Sequence, residues 1–164
     1  MKNFVMISPH YPQRLYFFAD RLHRRGLNVL GAGDQNFNAL QECLRRDLRE
    51  YCQTTLSCYD ANGNPSGDNF NNVCSALGYL QDKYGRLNHI ESFNEWWLPL
   101  DAALREKFDV PGVHPAQVAY LTRKSLMKLK FAEAGVAVSP GQPLTTLPAL
   151  LEFMSCWEND VVVK

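Results

Sequence analysis

A chain of 164 residues, 46% of them hydrophobic and 12% aromatic, is long and apolar enough to bury the core of one domain and part of a second. Its 17 basic and 17 acidic side chains cancel, and no basic face with interleaved aromatic residues accompanies them. The composition therefore excludes an intrinsically disordered chain and argues against nucleic acid as a partner.

The first part of the chain alternates between predicted strands and helices. Residues 3–7 form a continuous apolar run that predicts a buried strand, and the residues 8–12 that follow predict a loop. Apolar side chains then recur at helical spacing until residues 24–26, where two arginines and a glycine end the helix. Residues 27–30 predict a second strand, so the chain opens as a strand, helix, strand unit.

Gly31 and Gly33 lie in a predicted loop that follows the second strand and ends at Asp34. In a dinucleotide-binding turn the glycines follow the first strand, and a third glycine stands three residues further on. This fingerprint is not met, which gives a nicotinamide-dependent oxidoreductase little support. Asp34 is more typical of a turn or a helix cap than of a ribose ligand.

The remaining segments of this region continue the alternation of helices and strands. They are a helix at 38–49, a strand at 50–56, a loop at 60–68, a helix at 73–84, a strand at 87–92 and a helix at 96–108. The loop carries oxygen-bearing side chains at alternate positions, but it lacks the glycine and the glutamate that an EF-hand requires. Four strands alternating with helices predict an α/β fold with a doubly wound parallel sheet.

The cysteines and histidines predict neither disulfides nor a metal site. Five cysteines without a CxxC pair and four scattered histidines lack the spacing of a disulfide framework or a zinc site. The apolar run after Lys2 is too short for a signal peptide, and no stretch approaches the roughly 20 apolar residues of a membrane span. We therefore expect a soluble, cytoplasmic protein that does not enter a membrane. Its oligomeric state stays open, a homo-oligomer included.

The C-terminal third joins a helix that carries lysines to a chain end that is itself a lysine. Lys124 and Lys128 border an apolar arc at helical i, i+4 spacing, so both ammonium groups could overlook the edge of a cleft. Gly135 is placed to end this helix, and residues 136–138 predict the start of an extended segment. A second β-branched run predicts a strand that ends at Lys164.

This arrangement resembles the ATP-grasp ligases, whose first nucleotide-binding lysine lies one helix before a Gly-Val step and whose second ends a β-branched strand. The resemblance implies that Lys124 and Lys164 contact the α- and β-phosphates and the adenine edge of ATP. Tyr-Gly-Arg at 84–86, Ser-Phe-Asn-Glu at 92–95 and Val-Pro-Gly at 110–112 look like landmarks of the domain that precedes the nucleotide-binding part of these ligases.

The resemblance therefore implies a Rossmann-like pre-ATP-grasp domain over residues 1–113. Residues 114–164 would be the start of the ATP-grasp nucleotide-binding domain, a partial subdomain. The implied reaction transfers the γ-phosphoryl group of ATP to a carboxylate, and an amine or thiol then attacks the acyl phosphate. Cationic side chains and Mg²⁺ would stabilise the phosphate charge, with the magnesium ligands expected beyond Lys164.

Ser8 and Glu95 are the candidate substrate-binding residues. Ligands of open α/β sheets bind beyond the carboxyl ends of the strands, and both residues follow predicted strands, as does Asp34. In similar ligases the Asn-Glu step at 94–95 faces the cleft between the domains. The alternatives are a loop-capping hydroxyl for Ser8 and a glutamate that stabilises a helix dipole for Glu95.

Two hypotheses for function follow. In the first, the chain is the front portion of an ATP-grasp ligase, as an expression fragment, a degraded chain or one half of a split gene, and is inactive alone. In the second, it is a stand-alone α/β ligand-binding or interaction module in which Lys124 and Lys164 are merely solvated. A reading frame that continues into a glycine-rich loop and an acidic lobe favours the first, and a stop codon favours the second.

Overall fold

A computed structural model of the chain describes residues 1–57, 59–60, 63–65 and 67–157. Lys164 and the strand predicted to end there lie outside the described residues. The chain divides into two compact units, residues 1–118 and residues 119–164. None of the helices in the described ranges has both the length and the apolar character needed to span a membrane.

A parallel sheet in the order β3-β2-β1-β4 organises the first unit. Its strands are short and mostly apolar: β1 (Asn3–Ile7), β2 (Asn28–Gly33), β3 (Glu50–Gln53) and β4 (Leu87–Glu91). From β1 the chain winds outward through β2 to β3, and it then crosses over to place β4 on the other side of β1. The predicted doubly wound parallel sheet is thus confirmed, and the direction of winding reverses between β1 and β4.

Helices cover both faces of the sheet because successive residues of each strand point to opposite faces. Phe4 and Met6 pack with the face that carries α1 (Tyr16–Arg24) and α2 (Glu42–Asp47). The alternate residues of β1, Val5 and Ile7, pack with the opposite face. That face carries the helices α3 (Gly67–Tyr84) and α4 (Leu98–Lys107). The two apolar layers hold the carboxyl ends of the strands in fixed positions.

The prediction of a loop at residues 31–34 is wrong for residues 31–33, because β2 extends to Gly33. The two glycines there accommodate Tyr51 of the neighbouring strand. A Cβ atom at Gly31 would lie 2.8 Å from Cδ2 of Tyr51, and one at Gly33 would lie 2.8 Å from its hydroxyl oxygen. That hydroxyl donates a hydrogen bond to the carbonyl of Gln35 at 2.7 Å. The two glycines therefore leave the space in which the Tyr51 ring packs across β2.

Gly31→Ala is expected to destabilise the protein by about 1–3 kcal/mol, because the added methyl group overpacks against the Tyr51 ring. Gly78→Ala is the matched control, since Gly78 lies inside α3 and a Cβ atom there meets nothing within 4 Å. We expect the control to stabilise by roughly 0.5–1 kcal/mol through helix propensity. Urea unfolding of both variants gives the comparison, and equal effects would contradict the packing role of Gly31.

Other segments also differ from the sequence-based boundaries, and α3 begins at Gly67 although the sequence predicts this helix from residue 73. The helix predicted at 38–49 is a single 3-10 turn followed by the six-residue α2. It stops at Asp47 because Leu48 takes extended backbone angles and leads directly into β3. The third strand ends at Gln53, three residues short of its predicted end.

The helix α5 (Pro115–Thr122) begins in the first unit and ends in the second. The second unit contains two further complete helices among the described residues. They are α6 (Lys124–Glu133) and α7 (Leu147–Ser155). Gly135 ends α6 in a left-handed conformation, with φ +74°, and the amide of Val136 reaches back to the carbonyl of Phe131 at 2.9 Å. This is the glycine-closed helix end that the sequence predicts. Residues 136–145 contain no helix or strand.

Candidate functional site

The region beyond the carboxyl ends of β1 and β4 is the candidate site. In a doubly wound sheet, ligands bind where the direction of winding reverses, since the loops on either side diverge there. Ser8 is the first residue after β1, and Glu95 lies in the loop after β4. The structure therefore places both predicted substrate-binding residues in the two loops that flank this point. Contact of either with a substrate stays a prediction.

Ser8 is buried and fixed by its backbone. Its amide donates to the carbonyl of Ala32 at 2.8 Å, and its own carbonyl accepts the amide of Tyr11 at 3.0 Å. Its φ of +52° lies in the left-handed region that non-glycine residues rarely adopt. Such backbone conformations concentrate at functional sites.

Glu95 opens a 3-10 turn, Glu95–Trp97, that leads into α4. Its side chain is exposed and forms no hydrogen bond or ion pair with any residue that the structure describes. Asn94 caps the turn, since its Oδ1 atom accepts the amide of Trp96 at 3.0 Å. The Glu95 carboxylate therefore stays open to a cationic ligand while its backbone is held.

Phe93 fastens the same loop to the sheet, and sequence reasoning did not single it out as a site residue. Its φ is +57°, also left-handed. Its ring stacks parallel to that of Phe4, with centroids 6.2 Å apart, and meets Phe18 edge-on at 4.4 Å. Phe18 and Phe93 are each more than a third exposed. They give the site an apolar wall beside the Glu95 loop.

A histidine and an aspartate come together from the loops after β1 and β2. The Nε2 atom of His10 lies 3.6 Å from Oδ1 of Asp34, and the Nδ1 atom of His10 is buried without a hydrogen-bond partner in the described part of the chain. Asp34 lies in a bend, and the cap of the 3-10 turn that follows is Asn36, whose Oδ1 atom accepts the backbone amide of Asn38. The sequence holds one clue to the pairing, since both residues follow adjacent strands.

A buried carboxylate, Asp101 of α4, lies beneath the Glu95 loop. Its Oδ2 atom accepts the amide of Ser92 at 3.0 Å and the hydroxyl of Ser92 at 2.6 Å. Arg105, one turn further along α4, is also buried, and its Nη2 atom donates to Glu91 at 2.8 Å. Burial raises the pKa of Asp101 to about 7, against the opposing effects of Ser92 and Arg105. Sequence reasoning missed this network.

Arg105 also covers the outer edge of β4. Its Nε atom donates to the carbonyl of Ile90 at 3.0 Å, and its Nη1 atom donates to the carbonyl of Val113 at 3.3 Å. Gly112 makes this possible, because a Cβ atom there would lie 2.9 Å from Cδ of Arg105. The Val-Pro-Gly landmark at 110–112 thus has a packing role in this unit.

Of the two lysines predicted to bind ATP, Lys124 lies within the described residues. It is the first residue of α6. Its side chain is exposed and forms no hydrogen bond or ion pair within the described ranges. Lys128, by contrast, donates to the carbonyl and hydroxyl of Ser139 at 2.9 and 3.2 Å. The first turn of α6 has no acidic residue, and Arg123 precedes it. Two cations and a helix dipole there favour an anion such as a phosphate.

The described residues contain no group of three or more His, Cys, Asp or Glu side chains arranged to hold a metal ion. Asp34 and Glu95 are two of the carboxylate side chains that follow the strands at this end of the sheet. Each lies in its own loop.

A sheet ordered β3-β2-β1-β4 with helices on both faces and a helical unit after it is the fold of the N-terminal part of an ATP-grasp ligase, which confirms the predicted resemblance for the fold. The chain is similar in structure to an L-amino acid ligase from Bacillus licheniformis, with a TM-score of 0.64 and 14% sequence identity. The match covers 91% of this chain and 34% of that one, so the chain spans about a third of the ligase's length. No protein-family model and no curated protein matches the sequence.

Proposed function

We propose that this chain supplies the N-terminal part of an ATP-dependent ligase that joins a carboxylate to an amine or a thiol through an acyl phosphate. Residues 1–113 would be the pre-ATP-grasp domain and residues 114–164 the start of the nucleotide-binding domain. The observation that carries the proposal is the shared fold, which extends over 91% of the chain. ATP, Mg²⁺ and small-molecule substrates are the partners this implies.

Lys124 is proposed to bind the phosphates of ATP, with Lys164 as the second cation. The support for Lys124 is its open side chain at the N-terminus of a ten-residue helix, where backbone N–H groups and the adjacent Arg123 add positive charge. When bound with magnesium, ATP supplies the phosphoryl group that activates the carboxylate. We assign the magnesium ligands to acidic residues beyond Lys164. What this chain contributes is binding and orientation of the nucleotide.

Glu95 and Ser8 are proposed to bind the substrate at the carboxyl edge of the sheet. The open carboxylate of Glu95 suits the ammonium group of an amine substrate. The apolar wall of Phe18 and Phe93 suits an uncharged part of the same molecule. The matched ligase acts on L-amino acids, and an amino acid carries both kinds of group.

Lys124→Ala is expected to weaken ATP binding about tenfold, the loss of one charge-assisted contact to phosphate. Lys2→Ala is the matched control, because Lys2 is equally exposed and precedes β1 at the opposite edge of the sheet from the candidate site. Calorimetric titration of Mg-ATP into the polypeptide that the gene encodes measures both. Equal affinities for the two variants would remove Lys124 from the nucleotide site.

The gene and the activity of the fragment test the proposal itself. The reading frame is expected to continue past Lys164 into a glycine-rich loop and an acidic lobe. Residues 1–164 alone are expected to show no magnesium-dependent ATPase activity. A stop codon after Lys164 would favour a stand-alone binding module. Robust ATP hydrolysis by the fragment would contradict the proposal that residues 1–164 are inactive alone.

A further inference from the structure

We propose that Asp101 is a positioning residue for the candidate site: through Ser92 it holds the loop that presents Glu95. The part of this inference that concerns the substrate rests on the proposed function of Glu95. The part that concerns the loop rests on geometry alone. Asp101 is almost completely buried, so its effect on a substrate must pass through the loop.

A continuous path of hydrogen bonds connects Asp101 to the loop. Its Oδ2 atom accepts both the amide and the hydroxyl of Ser92, and Ser92 and Asp101 are 0% and 1% exposed. The Oγ atom of Ser92 in turn accepts the amide of Asn94 at 3.3 Å. The carbonyl of Asn94 accepts the amide of Trp97 at 3.1 Å. Glu95 therefore lies between Asn94, which Asp101 anchors through Ser92, and Trp97, which it anchors through Ser92 and Asn94.

The loop needs such an anchor because its backbone is strained. Phe93 stands in the left-handed region with a bulky side chain, a conformation that persists only where neighbouring contacts impose it. Aromatic stacking on Phe4 and Phe18 holds the ring of Phe93, and Asp101 holds the residue before it. Without the carboxylate, the backbone amide of Ser92 would lose its buried acceptor, and the hydroxyl would keep the longer contact to the carbonyl of Asn94 at 3.3 Å.

Burial of the Asp101 carboxyl group lowers the stability of the fold, which is not expected of a residue with a purely structural role. Its Oδ1 atom is buried and has no hydrogen-bond partner among the described residues. The charged groups that face it are Arg105 of α4, with Nη2 4.0 Å from Oδ2, and Glu91 of β4. Arg105 is already bonded to Glu91 and two backbone carbonyls. A buried carboxyl group with one oxygen atom that lacks a hydrogen-bond partner in the described part of the chain thus lies beneath the loop of the candidate site.

Hydrogen exchange of the loop amides tests the positioning role without any substrate. Asp101→Ala is expected to speed exchange at Ser92 and Asn94 by about 10- to 100-fold, the equivalent of one lost hydrogen bond to a charged group. Leu104→Ala is the control for general destabilisation, since Leu104 is fully buried on the same helix and makes no hydrogen bond to the loop. Equal acceleration in both variants would overturn the proposal.

Two further variants keep the test decisive if Asp101→Ala does not fold. Asp101→Asn retains an acceptor for the Ser92 amide and hydroxyl and is expected to keep exchange within about threefold of the wild type. Ser92→Ala retains the hydrogen bond from the backbone amide of residue 92 to Asp101 and loses the hydroxyl that accepts the amide of Asn94. Hydrogen exchange is therefore expected to speed up more at Asn94 than at residue 92. Rapid exchange at both amides in the asparagine variant would overturn the role of Asp101.

Steady-state kinetics of the encoded ligase connect the loop to the substrate. Asp101→Ala is expected to raise the KM of the amine substrate about tenfold and to leave the KM of ATP unchanged, and Asp101→Asn is expected to restore the first value. Equal rises in both KM values would contradict a local effect. If the wild-type protein shows no ligase activity, the proposed function fails, while the exchange data still decide whether Asp101 positions the loop.

Discussion

The free energy of unfolding of the wild-type protein, measured relative to that of Asp101→Asn, is expected to fall by about 4 kcal/mol as the pH rises from 4 to 8. Burial raises the pKa of Asp101 from an ordinary value of 3.8 to about 7 in the folded protein. Between these values the folded state keeps a proton that the unfolded state has released. The contribution of Asp101 to stability is therefore complete below about pH 4 and is lost as the pH rises through 7.

The comparison with asparagine isolates this single group. Asp20 and Glu50 have pKa values that their basic and hydroxyl neighbours lower, so their contributions change in the opposite direction, falling away as the pH falls. Both remain in the asparagine variant and cancel in the difference. Urea unfolding at half-unit intervals of pH gives the curve for each protein. Parallel curves from pH 4 to 8 would show that Asp101 titrates normally in the folded state.

Asn3→Ala is expected to lower the free energy of unfolding by about 2–4 kcal/mol, because one buried side chain satisfies several backbone groups. Its Nδ2 atom contacts the carbonyls of Tyr84, Gly85 and Arg86 at 2.9, 3.2 and 2.9 Å. Its Oδ1 atom accepts a hydrogen bond from the side-chain Nδ2 atom of Asn28 at 2.9 Å. Asn3 thus joins the end of α3 to β1 and β2.

Asn36→Ala is the control for this prediction. Asn36 is exposed and accepts a single hydrogen bond from Asn38 at the start of a 3-10 turn, so the expected cost is about 1 kcal/mol or less. Thermal and urea unfolding are measured for both variants. A cost at Asn3 no greater than that at Asn36 would show that the α3 carbonyls find other partners without loss of stability.

The sheet could be predicted from sequence because its strands are local apolar runs. The positions of Ser8 and Glu95 at the carboxyl edge follow from the same runs, since a residue after a parallel strand must lie at that edge. Gly135 ends α6 as predicted because a glycine after a helical pattern is also a local feature. The sequence order of these features is enough to place them.

The features that were missed depend on residues far apart in the chain. Gly31 looked like a loop residue because its packing partner, Tyr51, comes 20 positions later. Asp101 and Arg105 at i, i+4 look like an exposed ion pair on a helix, and only the closure of α4 over β4 buries them. The left-handed backbone of Phe93 has no sequence signature, because a phenylalanine there is held by its ring contacts.

The position of Arg105 on β4 has a consequence for the protein at high concentration. Among the described residues β4 is the outermost strand on its side of the sheet, and an unprotected outer strand is a template on which a second molecule can pair. The guanidinium group already occupies the carbonyl of Ile90, which such pairing would use. Arg105 therefore takes up one backbone acceptor of this outer strand, which disfavours pairing of β4 with a strand of a second molecule.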